Sequence, residues 1–186
     1  GWCMLCRIAV LVTLFVLTGC GGDNSSAIRS SDSTPELKVI NGQPEDPSAF
    51  PEFVKLAVIR SDGSTAFCSA TVIGDDTVLS AAHCLLGEIR YVYVNSINGW
   101  TKVERYLWHP QLSIDENGLL FYDVAVLSAP GLNLPKLGIL ASLPVTPGQL
   151  STVFGFGRTA LAPYGQLIQG QMTIDAASSQ HLIATY

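Results

Sequence analysis

The 186 residues predict an all-β protein, a sandwich or barrel of short antiparallel strands. Three observations carry this. Apolar segments are short and bounded by clusters of Gly, Pro, Asp and Ser. No stretch sustains a 3.6-residue period, and no internal repeat is present. The 17 glycines and 10 prolines suit frequent turns better than a helical bundle.

The strands follow in order. Phe53 to Ile59 alternates imperfectly and ends in the turn cluster Ser61-Asp62-Gly63-Ser64. Phe67 to Ile73 is a second strand, and Gly74-Asp75-Asp76 turns it into Thr77 to Ser80, forming a hairpin. Tyr91 to Asn95, Lys102 to Trp108 and Val124 to Ser128 come next at short intervals. Pro130, Pro135, Pro144 and Pro147 mark a connector between two packed units. Strands resume at Ser151 to Phe154, at about Gln166 to Ile174 and at Leu182 to Tyr186.

Composition removes some function classes. Ten basic and 15 acidic side chains give a net charge of −5, without the basic face of a nucleic-acid binder. With 48% apolar and 13% charged residues, the chain as a whole is not disordered. His83, His109 and His181 are widely spaced, and the body has no His-x-x-x-His, Cys-x-x-Cys or glycine-rich phosphate loop. Neither a metal nor any other cofactor is expected.

The amino-terminal end reads as an export signal. Ile8 to Leu17 is an uncharged apolar run behind Arg7. It is too short for a spanning helix, which needs about 20 residues, and fits a signal h-region. The chain opens on Gly1 rather than methionine, with Met4 as a candidate initiator. Leu17-Thr18-Gly19-Cys20 resembles a bacterial lipobox, which makes 1–19 a signal peptide and Cys20 the lipidation point. The alternative is an ordinary signal that ends near a cysteine. Residues 20–38, rich in Ser, Asp and Gly, cannot bury enough surface to order themselves and read as a flexible tether or propeptide. The expected location is the bacterial cell envelope, by lipid anchor, or secreted.

Five cysteines divide the same way. Cys3 and Cys6 leave with the leader, and Cys20 carries lipid. Cys68 and Cys84 remain as one pair in an oxidising setting and are expected to be bridged, the alternative being two free thiols.

Two residues call for a chemical explanation. His83, in Ser80-Ala81-Ala82-His83-Cys84, follows a strand beside the cysteine pair. Alone, it reads as a surface or satisfied core histidine. Asp123 precedes Val124-Ala125-Val126-Leu127. A carboxylate in an apolar run lies at an exposed strand edge or has a partner that compensates its charge. A histidine suits that role, because a carboxylate on one ring nitrogen leaves the other free as a base. Alone, Asp123 reads as a turn residue at a strand start.

Together these segments resemble the trypsin-like (chymotrypsin-fold) serine proteases. Cys68-Ser69-Ala70-Thr71-Val72-Ile73 followed by Val78-Leu79-Ser80-Ala81-Ala82-His83-Cys84 is similar to the family's catalytic-histidine region. Asp123-Val124-Ala125-Val126-Leu127 resembles its Asp-Ile-Ala-Leu-Leu segment, and His109-Pro110 a frequent upstream element. Gly155-Phe156-Gly157-Arg158-Thr159 resembles Gly-Trp-Gly-Arg-Thr, with Phe156 in place of tryptophan. Val39-Ile40-Asn41-Gly42 resembles the mature amino terminus, and Pro51 falls where the family commonly has proline.

The resemblance implies two antiparallel six-stranded Greek-key barrels within residues 39–186, the first about 39–135 and the start of the second about 148–186. It implies a Ser-His-Asp endopeptidase acting on proteins or peptides, with His83 as general base and Asp123 orienting it. It also implies cleavage between Lys38 and Val39 as an activation step. That cut would sever a tether at Cys20.

The family's Gly-Asp-Ser-Gly-Gly-Pro does not occur in the 186 residues. Ser178-Ser179 lacks the flanking glycines of an oxyanion hole and is not assigned as nucleophile. Val39 to Tyr186 is also shorter than the 200–250 residues, roughly, that a two-barrel domain can reach. The expectation is therefore a fragment with an incomplete second barrel, inactive alone. A natural truncation or degenerate gene is the alternative. Two other function classes stay open: a non-catalytic binding protein of the same fold, and a structural or adhesive envelope lipoprotein.

Overall fold

The computed structural model describes residues 42–135, 137–140, 142–157, 165–179 and 181–185. The leader, Cys20, the tether, the Lys38–Val39 junction, and Arg158 and Thr159 lie outside the described residues. Among the described residues no helix is long and apolar enough to cross a membrane.

Thirteen strands are present in the described chain: β1 (Gln43–Pro44), β2 (Phe53–Arg60), β3 (Thr65–Gly74), β4 (Thr77–Ser80), β5 (Ile89–Ser96), β6 (Gly99–Lys102), β7 (Arg105–Trp108), β8 (Ser113–Ile114), β9 (Leu120–Phe121), β10 (Ala125–Ser128), β11 (Leu150–Gly155), β12 (Ile168–Ala177) and β13 (Leu182–Thr185). One 3₁₀ turn, Ala82–Leu85, follows β4. The β2–β3 turn is set by Asp62, whose Oδ1 accepts the Ser64 N–H at 2.8 Å and its hydroxyl at 2.7 Å. Between them Gly63 takes φ +86°, a conformation that favours glycine. The β3–β4 hairpin turns through Asp75-Asp76, with Gly74 opposite Thr77.

Seven strand segments form one antiparallel sheet in the order β6-β5-β2-β3-β4-β10-β7. Its two edges are consecutive pieces of one chain. The expected single strand Lys102 to Trp108 bends at Val103-Glu104 because its pairing partner changes there. The Val103 N–H donates to the Val92 carbonyl on β5, and the Glu104 N–H donates to the Ser128 carbonyl on β10, both at 2.9 Å. That switch brings the two ends of the sheet together and curls it into a barrel, with β6 paired to β5 and β7 to β10.

Alternation fills the barrel. Val54, Leu56 and Val58 of β2 point inward, with Val72, Val78, Val94 and Leu127 from the facing strands, and each is at most 1% exposed. Burying each such side chain contributes about 1.5–3 kcal/mol. The intervening outward positions of β2 are Lys55, Ala57 and Ile59.

A second antiparallel sheet is built on β12. Its first half pairs with β1 and β11, and its second half with β13 after a register shift between Ile174 and Ala176. The bulge lets β12 run three residues beyond its expected end at Ile174. Ile168 and Ile174 of β12, with Leu167 just before it, are buried apolar side chains of this sheet. The two sheets meet at aromatic rings: Phe154 stacks on Phe53 at 4.3 Å and lies 4.8 Å from Phe50. The connector packs as closely. Gly138 donates to the Val72 carbonyl at 2.7 Å, where a Cβ would sit 2.4 Å from Thr71 Cγ2.

Candidate active site

The pairing of β4 with β10 positions the site. Ser80, the last residue of β4, lies opposite Ala125, the first of β10. Antiparallel strands so registered release the chain after Ser80 and the chain before Ala125 at the same end of the sheet. His83 is three residues beyond one, and Asp123 two residues before the other.

His83 sits on the 3₁₀ turn Ala82–Leu85. Ala82 is 0% exposed and Leu85 1%, so the turn is anchored in the barrel core from both ends. The neighbouring Cys84 is joined to Cys68 of β3 by a disulfide. The Leu86 N–H closes the turn on the His83 carbonyl at 3.3 Å. The histidine side chain alone projects outward and is 49% exposed.

Asp123 lies just before β10 rather than inside it. Its two oxygens take two donors of the same residue. Oδ2 accepts the His83 Nδ1–H at 2.6 Å, and Oδ1 accepts the His83 backbone N–H at 2.7 Å. The side chain is 20% exposed. Of the two readings open to this carboxylate, the structure shows the one with a partner. The double contact fixes ring position and, in the neutral imidazole, the tautomer with its proton on Nδ1 and its lone pair on Nε2. Cys84 Sγ lies 3.6 Å from Nε2.

Two features of this region are invisible in the sequence. Tyr122 adopts φ +54°, uncommon for a bulky residue, and the Val124 N–H bonds back to the Tyr122 carbonyl at 2.8 Å. The His109 ring stacks on Tyr122 at 4.7 Å, while its backbone N–H holds the Val124 carbonyl at 3.0 Å. Tyr122 and His109 thus support the bend that aims Asp123. No local pattern announces a tyrosine in the left-handed region. The second feature is His181, which the sequence marks only as a non-ligand. Its Nε2–H donates to the Leu120 carbonyl at 2.8 Å, and its ring meets Phe121 edge-on, tying the β12–β13 turn to the hairpin before Asp123.

A cleft of about 350 Å³ opens beside Asp123, with Ser69, Ser80, Phe154 and Phe156 among its walls. Ser69 links both sides: its Oγ accepts the Phe156 N–H at 3.0 Å, and its carbonyl accepts the Ser80 hydroxyl at 2.9 Å. Cys68, His83 and Cys84 also bring three potential ligand atoms within 4.8 Å of one another. With the sulfurs bonded to each other, neither is a thiolate, so the cluster is not a ready metal site. Ser178 lies in the exposed β12–β13 turn, where its Oγ accepts the His181 N–H at 2.9 Å.

A curled antiparallel barrel sheet beside a second antiparallel sheet, with a His–Asp pair at the barrel's end, is the architecture of the chymotrypsin fold. The solved structure of HL collagenase superposes with a TM-score of 0.61 and 20% identity, over 74% of this chain and 64% of that one. Neuropsin, a serine protease expressed in the limbic system of mouse brain, superposes at 0.57 and 20%, over 74% and 66%. At that identity the likeness speaks for the fold.

Residues 39–182 match the Trypsin family, and the chain belongs to it. Chymase of Rattus norvegicus is 28% identical over 141 residues, 68% of this chain and 56% of the chymase. Chymase of Mus musculus matches to the same extent. The chain therefore spans just over half the length of these curated relatives.

Proposed function

We propose that the protein is an exported serine endopeptidase whose His83 is the general base and Asp123 the group that orients it. The observation that carries this reading is the double contact of Asp123 with His83, at 2.6 and 2.7 Å, on a half-exposed ring. His83 Nε2 takes the proton of a serine as it attacks the scissile carbonyl, then delivers it to the leaving amine. Asp123 stays ionised and stabilises the imidazolium in between. The nucleophile in this reading is a serine outside the 186 residues, in the second barrel.

The leader belongs to the same proposal. Residues 1–19 direct export, Cys20 takes lipid, and cleavage between Lys38 and Val39 frees the mature domain of 39–186. Family membership supports protein or peptide substrates.

The test is hydrolysis of a casein or peptide substrate by the full gene product and by two variants. Asp123→Asn should lower kcat by about 10⁴, the loss known for the equivalent change in the template triad. His83→Ala should lower it at least as far, with little further loss in the double variant, because the pair acts as a unit. Full activity in Asp123→Asn would refute the assignment. Absence of any triad-dependent cleavage by the full product would leave the non-catalytic binding reading.

A further inference from the structure

The outer face of the barrel carries a second feature, independent of the cleavage chemistry. Register places its side chains in rows across β6, β5, β2 and β3. One row is Lys102, Tyr93, Ala57 and Phe67. The row on one side is Trp100, Asn95, Lys55 and Ser69, and on the other Tyr91, Ile59 and Thr65. The middle row has a small residue between two aromatic ones. Ala57 therefore floors a groove walled by Tyr93 and Phe67, about 340 Å³ in volume and closed by Ile59 and Trp100.

The groove is apolar and its surroundings are cationic. The Lys55 ammonium lies 5.2 Å from the Phe67 ring centre and 5.9 Å from that of Trp100. Lys102 and Arg90 both approach the Tyr91 ring, at 5.3 and 5.4 Å. Among the described residues none of these three cations is within ion-pair distance of a carboxylate. The three rows contain no Asp or Glu, although the chain as a whole carries −5. Trp100 is 55% exposed, so an apolar ring stands in water beside the Lys55 ammonium. Rings of this kind supply large contact area at low entropy cost, and the adjacent cations select the sign of the partner.

We propose that this groove docks an acidic polypeptide segment, with one bulky apolar side chain laid on Ala57 between Tyr93 and Phe67 and flanking carboxylates paired with Lys55 and Lys102. A concave slot fits a side chain better than a flat lipid surface, and Lys55 lies beside two of its bordering rings, Phe67 and Trp100, while Lys102 is paired in register with Tyr93.

The test is fluorescence anisotropy of the full chain with a labelled peptide of one Phe flanked by glutamates. Saturable binding is expected. Binding should weaken at least about tenfold when Gln replaces the peptide's Glu, when Ala replaces its Phe, or when the protein carries Lys55→Gln with Lys102→Gln. It should also weaken as NaCl rises from low to physiological strength. Ala57→Leu, which fills the slot, should abolish it. Because that change risks overpacking, the double-lysine variant, with an unchanged urea midpoint, separates loss of binding from loss of folding. No saturable binding, or equal affinity for the Gln peptide, would overturn the proposal. So would lysine-dependent sedimentation with phosphatidylglycerol vesicles in the absence of peptide binding, which would assign the face to a membrane. Peptide affinity does not use His83, so its failure is distinct from failure of the protease reading.

Discussion

Removing the Cys68–Cys84 bridge tests how far the barrel depends on a covalent tie at the end that carries His83 and Asp123. The pair closes a loop spanning 16 residues, which contains the rest of β3, all of β4 and the turn that carries His83. In the chain-entropy model a loop of that length is worth about 3 kcal/mol. Cys84 is 5% exposed, so the variant also loses buried contacts and the figure is a floor for a strain-free bridge. The comparison is Cys68→Ala/Cys84→Ala against the parent in urea, followed by tryptophan fluorescence. With m of about 1–3 kcal/mol/M for a domain this size, the midpoint should fall by about 1–3 M at unchanged m. Parent protein reduced with a dithiol, which keeps both sulfur atoms in the core, should show a fall no larger than the variant's. A midpoint shift under about 0.3 M would refute the argument. It would mean that core anchoring by Ala82 and Leu85 holds the loop without the bridge.

Three further outcomes follow from named contacts. Gly138→Ala should cost about 1–3 kcal/mol in urea, because its Cβ would lie 2.4 Å from Thr71 Cγ2, and Thr71→Ser, which deletes that methyl, should recover part of the loss. Tyr122→Gly should stay within about 1 kcal/mol of the parent, since relief at φ +54° offsets the lost stacking on His109, whereas Tyr122→Val should cost about 1–3 kcal/mol; equal effects would show the bend is not strained. The backbone N–H of Leu119, and after it that of Asn117, holds the Asp115 carboxyl below the usual carboxylate range. A depressed carboxyl stabilises above its unfolded value and loses that contribution as pH falls through its folded one. The Leu119 and Asn117 amide resonances should therefore be flat from pH 5 to 8 and titrate only below about pH 4. Movement near neutrality would refute the assignment to Asp115.

Local patterns carried the strands that depend on local patterns. β2, β3 and β4 follow from alternation and from turn residues, and their observed bounds differ from expectation by at most two residues at each end. His83 stood out only through the resemblance of its Ala-Ala-His-Cys turn, together with Asp123, to a known family. What stayed hidden depends on partners distant in sequence. The bend at Val103-Glu104 exists because β5 and β10 each claim one side of it. β1 is two residues long and pairs with β12 more than 120 residues away. The short β8–β9 hairpin holds through Asp115 and the His181 contact rather than through an apolar stripe. Tyr122 is held in the left-handed region by a ring 13 positions upstream, which no propensity scale registers.

The site itself lies between these two cases. His83 and Asp123 are 40 residues apart, and neither alone distinguishes a reactive group from an ordinary polar one. Their meeting follows from one register, Ser80 opposite Ala125, set by the need to bury Val78 and Leu127 on the same face of adjacent strands. A slip of one residue would turn those side chains outward and withdraw Asp123 from His83 in the same step. Hydrophobic burial thus selects the pairing that builds the polar contact. The carboxylate then converts a positional accident of the fold into a fixed tautomer. The polar pair adds little to the stability of the barrel at its half-exposed rim, so the core beneath it must hold its geometry.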